Sequence, residues 1–145
     1  YIERDISLIH ISKMNIDFTL EIYGEGWDVY PELSIYYKGM LEYGKDISKV
    51  YNEAEYSLVL GGYVMQQRTL ESAASGCIPI VIDSRYNKIS EDEECFDKSL
   101  LFMKKIDDLP LILRQYHNTD LKCIVDKNNY ESFVNKIYSI VKREI

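Results

Sequence analysis

The chain has little of what usually carries metal or covalent chemistry. It holds three cysteines, Cys77, Cys95 and Cys123, and two histidines, His10 and His117. The cysteines show no metal-ligand spacing and cannot all pair within one chain. Reduced, structural thiols are therefore expected. Neither histidine has a carboxylate or serine at a telling spacing, so both read as structural or surface residues. The acidic run Glu91-Asp92-Glu93-Glu94 lacks the ligand pattern of a calcium loop and reads as solvated. No metal site is expected. Positive charge is also short: 17 Lys and Arg stand against 24 Asp and Glu, a net charge of -7. That balance argues against nucleic acid or an anionic membrane as the main partner, and Lys104-Lys105 is too short a basic run to change it. No apolar run approaches the ~20 residues that span a bilayer. No signal-peptide pattern is visible, Tyr1 points to a trimmed start, and a cytoplasmic location is expected. Repeats and low-complexity linkers are missing too. The 145 residues are expected to form a single domain with room for a real core.

Glycine is scarce after the midpoint. All seven glycines lie at or before Gly76, grouped as Gly24/Gly26, Gly39/Gly44, Gly61/Gly62 and Gly76. The first three groups follow predicted strands, where glycine permits tight turns and close approach of backbone to a ligand. Hydrophobic periodicity predicts a helix over about 2–14 and a strand over 18–23. A helical turn follows at 27–33 and a strand at 34–38. Next come a helix at 46–54, a strand at 56–60, a helix at 66–75 and an apolar strand at 78–82. Beyond these, 90–97 reads as a loop, 100–103 as an edge strand, and 106–116 and about 130–142 as helices. Strand–helix alternation from 18 to 82 predicts an α/β fold with a Rossmann-like, doubly wound, mainly parallel sheet. Ligands in such sheets bind at the carboxyl ends of strands. The 13 tyrosines are spread along the chain, which fits core and surface use rather than a stacking platform for single strands.

The site residues are sought at that edge. Gly24-Glu25-Gly26-Trp27 follows a strand and opens a helix, and is either a tight strand–helix turn or a backbone that wraps an anion. It has no third glycine and is not a dinucleotide fingerprint. Gly61-Gly62-Tyr63-Val64-Met65-Gln66-Gln67 follows another strand and is either a ligand-facing loop or a cap on the core. Arg68 and Glu71 lie three residues apart and project from one helix face. They form either a surface ion pair or a site: a carboxylate accepts both hydroxyls of a vicinal diol such as ribose, and a guanidinium grips phosphate in a fork. Ala73-Ala74-Ser75-Gly76 would let that helix lie close on the sheet.

In order and spacing, Leu20-Glu21-Ile22-Tyr23-Gly24-Glu25-Gly26-Trp27, Tyr37-Lys38-Gly39, Val50-Tyr51-Asn52-Glu53-Ala54-Glu55-Tyr56-Ser57-Leu58 and Arg68-x-x-Glu71-x-x-Ala74-x-Gly76-x-x-Pro79 form a series. This series resembles the C-terminal, nucleotide-sugar-binding domain of GT-B glycosyltransferases. Within that group it is most similar to the spore-maturation-like (CgeB-like) and group-1-like proteins with an Arg-x-x-Glu signature. The resemblance covers about 18–83 well and the rest in layout. It implies that Glu71 binds the donor's ribose hydroxyls. Arg68, with Gly62, Tyr63 and Gln67 from the preceding loop, is implied to face diphosphate and sugar. Gly24, Gly26 and Trp27 would line the phosphate region, and Met40 and Leu41 would lie near the base. The donor would be a UDP- or GDP-type nucleotide sugar, used without a metal or other cofactor.

The chain departs from the family in three ways. Tyr63 stands eight residues before Glu71, where many retaining members carry a second glutamate. The family's first strand is not found, and neither is its N-terminal acceptor domain, the usual source of the catalytic base. The chain is therefore expected to be the donor-binding part of a larger enzyme, inactive alone, with no catalytic residue assigned. The rival expectation is a degenerate, non-catalytic α/β domain for protein contacts or nucleotide binding.

Overall fold

A computed structural model describes residues 2–61, 64, 66–83, 93–132, 134 and 135. Its organising element is the strand with no polar face. Ile78-Pro79-Ile80-Val81-Ile82 folds as β4 (Ile78–Ile82), the middle strand of a three-stranded sheet. β3 (Tyr56–Val59) and β5 (Leu101–Met103) flank it, both parallel, with Tyr56 opposite Ile78 and Ile80 opposite Leu101. Successive strand residues point to opposite faces. Ile80 accordingly joins one core, with Leu8, Ile11, Leu33, Met103 and Leu109. Val81 joins a second, with Val59, Ala73, Phe96, Leu100 and Ile124. Helices α1 (Ile2–Ser12) and α5 (Leu109–Arg114) supply the first face; α3 (Gln67–Ala74), α4 (Glu93–Ser99) and α6 (Leu121–Asn128) supply the second. Cover on both faces is why β4 is a continuous apolar run. The fold is parallel α/β, as expected.

A second ladder joins β1 (Ile22–Tyr23) and β2 (Tyr37–Gly39), also parallel. The expected strand at 18–23 keeps only its last two residues, because Phe18, Thr19 and Glu21 stay exposed and unladdered. The single sheet expected is thus divided in two among the described residues. Ile22 nevertheless shares the core of Ile80. The helical turn expected at 27–33 contracts to a 3₁₀ turn at Pro31–Leu33, whose Leu33 is fully buried. Helix α2 (Lys45–Glu53) then leads into β3.

The C-terminal third differs more. The helix expected at 106–116 becomes a 3₁₀ turn, Ile106–Asp108, followed by α5. Pro110, which has no N–H to donate, fits the first turn of α5. Residues 93–97, expected as loop, belong to α4, where Glu94 and Lys98 pair at 2.6 Å and Cys95, Phe96 and Ser99 are buried. Helix α6 has no counterpart in the sequence expectation. Cys95 and Cys123 form a disulfide between α4 and α6, with Cα atoms 5.8 Å apart, which corrects the expectation of three reduced thiols. The packing of two helices unseen in the sequence brings these cysteines together. Cys77 is the free thiol, and burial pushes it up to about 11. Of the last expected helix, residues 130–132, 134 and 135 are helical and the remainder lies outside the described residues. No helix among the described residues is long and apolar enough to cross a membrane.

Candidate functional site

Helix α3 is the element that builds the site. One side carries Thr69, Ser72 and Ala73, all buried, so the helix lies close on β3 and β4. The two buried hydroxyls donate to backbone carbonyls, Thr69 Oγ1 to Val64 and Ser72 Oγ to Thr69, at 3.0 and 3.1 Å. They therefore add no orphan polar group to the interior. The helix ends in a Schellman turn: Cys77 N–H donates to Ser72 O, Gly76 N–H donates to Ala73 O, and Gly76 has φ +82°. Glycine holds that left-handed position without steric cost. At the other end, the Gln66 side chain donates to Gly61 O and ties the loop after β3 to the helix start.

This anchoring leaves Gln67, Arg68 and Glu71 on the outward side. With Gln66, and with Tyr43 and Ile47 from the turn after β2 and the first turns of α2, they line an open cleft of about 340 Å³. The cleft lies beyond the carboxyl ends of β2 and β3, the edge where α/β sheets hold ligands. Within it three side chains meet. Gln67 Nε2 donates to Glu71 Oε1 at 2.7 Å and to Tyr43 Oη at 2.6 Å. Tyr43 Oη donates to Glu71 Oε1 at 2.9 Å. That bond raises the Tyr43 phenol above its ordinary value. Tyr51 of α2 is half-buried, and burial raises its phenol above the ordinary value.

Arg68 and Glu71 do not spend their charges on each other. Among the described residues the ion pairs join Arg4 to Asp5, His10 to Asp107 and Lys98 to Glu94, and none joins Arg68 to Glu71. The intrahelical surface pair, one of the two sequence alternatives, is therefore not formed. A carboxylate held by neutral donors beside an exposed guanidinium offers an acceptor and an anion grip in one cleft.

The other expected site residues fall elsewhere. Gly24 and Gly26 sit in the turn after β1 with φ +116° and +84°. Gly24 N–H donates to Gly39 O at 3.0 Å, which joins the ends of β1 and β2. Trp27 is 6% exposed and packs in the core, with the Arg4 guanidinium 4.5 Å from its ring centroid. Its ring is thus occupied by the fold, and only its backbone is at the turn. Met40 is exposed and Leu41 half-buried, and neither lines the cleft. Gly62 and Tyr63 lie outside the described residues. Sequence reasoning missed Tyr43 and Ile47, while Gln66 lies in the loop read as either ligand-facing or a cap on the core. The signal for Tyr43 was its place just before Gly44, in the turn that leaves β2. His10 bonds Asp107 at 2.8 Å and His117 bonds Ile112 O at 2.6 Å, both away from the cleft. No group of three or more His, Cys, Asp or Glu side chains converges among the described residues.

A parallel α/β domain with an Arg-x-x-Glu cleft at its carboxyl edge has the layout in which such sheets hold ligands. Comparison with protein families narrows this. The family described as Glycosyl transferase-like matches residues 6–130. The chain belongs to that family. Comparison with curated proteins and with solved structures gave no match.

Proposed function

We propose that this domain is the C-terminal, donor-binding half of a GT-B glycosyltransferase. It would hold a UDP- or GDP-type nucleotide sugar for metal-independent transfer to an acceptor bound by another part of the protein. The observation that carries this reading is the Glu71 carboxylate. It sits in a cleft beside Arg68, unpaired with it, at the carboxyl edge of the sheet. Glu71 accepts the ribose hydroxyls, a recognition that a sugar lacking the diol cannot satisfy. Arg68 faces the diphosphate, where its fork stabilises the charge that develops on the leaving group as the glycosidic bond breaks. Gly24, Gly26, Met40 and Leu41, which the family resemblance also implies, lie outside this cleft, so the reading rests on Arg68 and Glu71. Chemistry at the acceptor hydroxyl belongs to residues outside this domain. The proposed compartment is the cytoplasm, where nucleotide sugars are substrates for glycoconjugate synthesis.

Calorimetric titration of the full-length parent protein with UDP, GDP and CDP tests this. One nucleotide should bind, and Glu71→Ala should weaken it by about tenfold or more, the loss of charge-assisted hydrogen bonds, with thermal stability unchanged. A folded full-length protein that binds none of the three supports the non-catalytic, protein-interaction reading instead.

A further inference from the structure

The Glu71 carboxylate already has a hydroxyl on it. Glu71 Oε1 accepts from Tyr43 Oη at 2.9 Å and from Gln67 Nε2 at 2.7 Å. A carboxylate oxygen has two in-plane lone pairs, so Oε1 is saturated. A vicinal diol that donates one hydrogen to each carboxylate oxygen needs one of those positions. Gln67 precedes Glu71 by four residues on the same helix, and its position is set by α3. Tyr43 comes from the turn after β2, the residue is 77% exposed, and Gln67 and Glu71 are the partners its hydroxyl shows. It is the partner that can leave at least cost.

We propose that Tyr43 is a displaceable cap on the diol-binding carboxylate: its hydroxyl occupies the position on Glu71 that a ribose hydroxyl of the donor takes over. This rests on the reading of Glu71 as the ribose acceptor and adds a regulator of affinity to it. The cap keeps the carboxylate oxygen bonded and oriented while the cleft is empty. It also sets a threshold, because a ligand must replace the Tyr43 bond before it gains its own. A ligand with two adjacent hydroxyls meets that threshold better than one with a single hydroxyl. Tyr43 is thus a specificity-determining residue that needs no bond to the reacting atoms.

The test is nucleotide affinity of the full-length protein by calorimetry, with UDP and GDP as probes, for wild type, Tyr43→Phe and Glu71→Ala. Tyr43→Phe keeps the ring and removes the competing hydroxyl. It should bind the preferred nucleotide about 3- to 10-fold more tightly, the net size of one ordinary hydrogen bond no longer displaced. A residue with a merely structural role would leave affinity equal or lower. Loss of binding in Glu71→Ala with unchanged or weaker binding in Tyr43→Phe overturns the cap and leaves the ribose assignment standing. Binding that survives Glu71→Ala, or no binding by wild type, overturns the ribose assignment and the cap with it. A far-ultraviolet melt confirms that each variant is folded. The exposed ring of Tyr43 makes Tyr43→Phe the mildest change of the set.

Discussion

Trp27 shows how one side chain can be claimed by the fold or by a ligand. Placed after Gly24-Glu25-Gly26 at a strand end, it reads as part of a phosphate turn. In the structure its ring is buried with Leu8, Ile22 and Leu33 and lies under Arg4. Arg4 bonds Asp5, and Tyr30 donates to Asp5 at 2.8 Å, which holds the Asp5 carboxyl below its ordinary value. The cluster fastens α1 to the turn after β1. Trp27→Ala should therefore cost about 3–5 kcal/mol of stability, as large aromatic truncations in cores do. Urea denaturation checks this: a variant as stable as wild type would show that the ring is not part of the core. Glu71 is the opposite case, since its neighbours Thr69, Ser72 and Ala73 hold the helix while it faces outward. Both environments follow from which side of a short element each residue occupies.

At the scale of elements, the two late helices owe their existence to packing more than to pattern. Helix α4 buries Cys95, Phe96 and Ser99, and α6 buries Ile124, so neither shows a broad apolar stripe. Their junction is polar and closed. Ser99 Oγ donates to Asp120 O and accepts from Ile124 N–H, and Asp120 Oδ1 accepts from Cys123 N–H as the N-cap of α6. The disulfide between Cys95 and Cys123 spans the same junction. Asp120→Ala leaves an N-terminal amide of α6 without its cap and should destabilise by about 1 kcal/mol. The change should appear as a lower urea midpoint with unaltered slope. Amide exchange should rise first in α6, and equal protection there in the variant would show that the cap contributes nothing.

Taken as a whole, the molecule holds several protons more tightly folded than unfolded. Burial pushes the Cys77 thiol up to about 11, and the bond to Glu21 pushes Tyr23 up to about 12. Tyr51 and Tyr56 are raised by burial, and Tyr30 by its bond to Asp5. Each group ionises earlier in the unfolded chain than in the folded one. Stability should therefore be fully present below about pH 9 and fall as pH rises through about 11 to 12. Urea midpoints at pH 8, 9.5 and 10.5 should decline in that order, and Cys77→Ala should decline less steeply. A flat profile would show that these groups are equally solvated in both states.

The sequence alone determined the alternation of strand and helix from β2 to β4, the span of β4 and the placement of Arg68 and Glu71 on one helix face. These are local properties: strand and helix periods, an apolar run too uniform for a one-sided strand, and a glycine stop at Gly76. Tertiary structure alone decided that Phe18 to Glu21 stay out of the ladder and that Trp27 turns into the core. The same holds for Cys95 meeting Cys123 across 28 residues and for Tyr43 reaching Glu71, also across 28 residues. Such meetings depend on where separate elements dock against each other. No spacing along the chain encodes that distance, because loop length fixes reach but not direction.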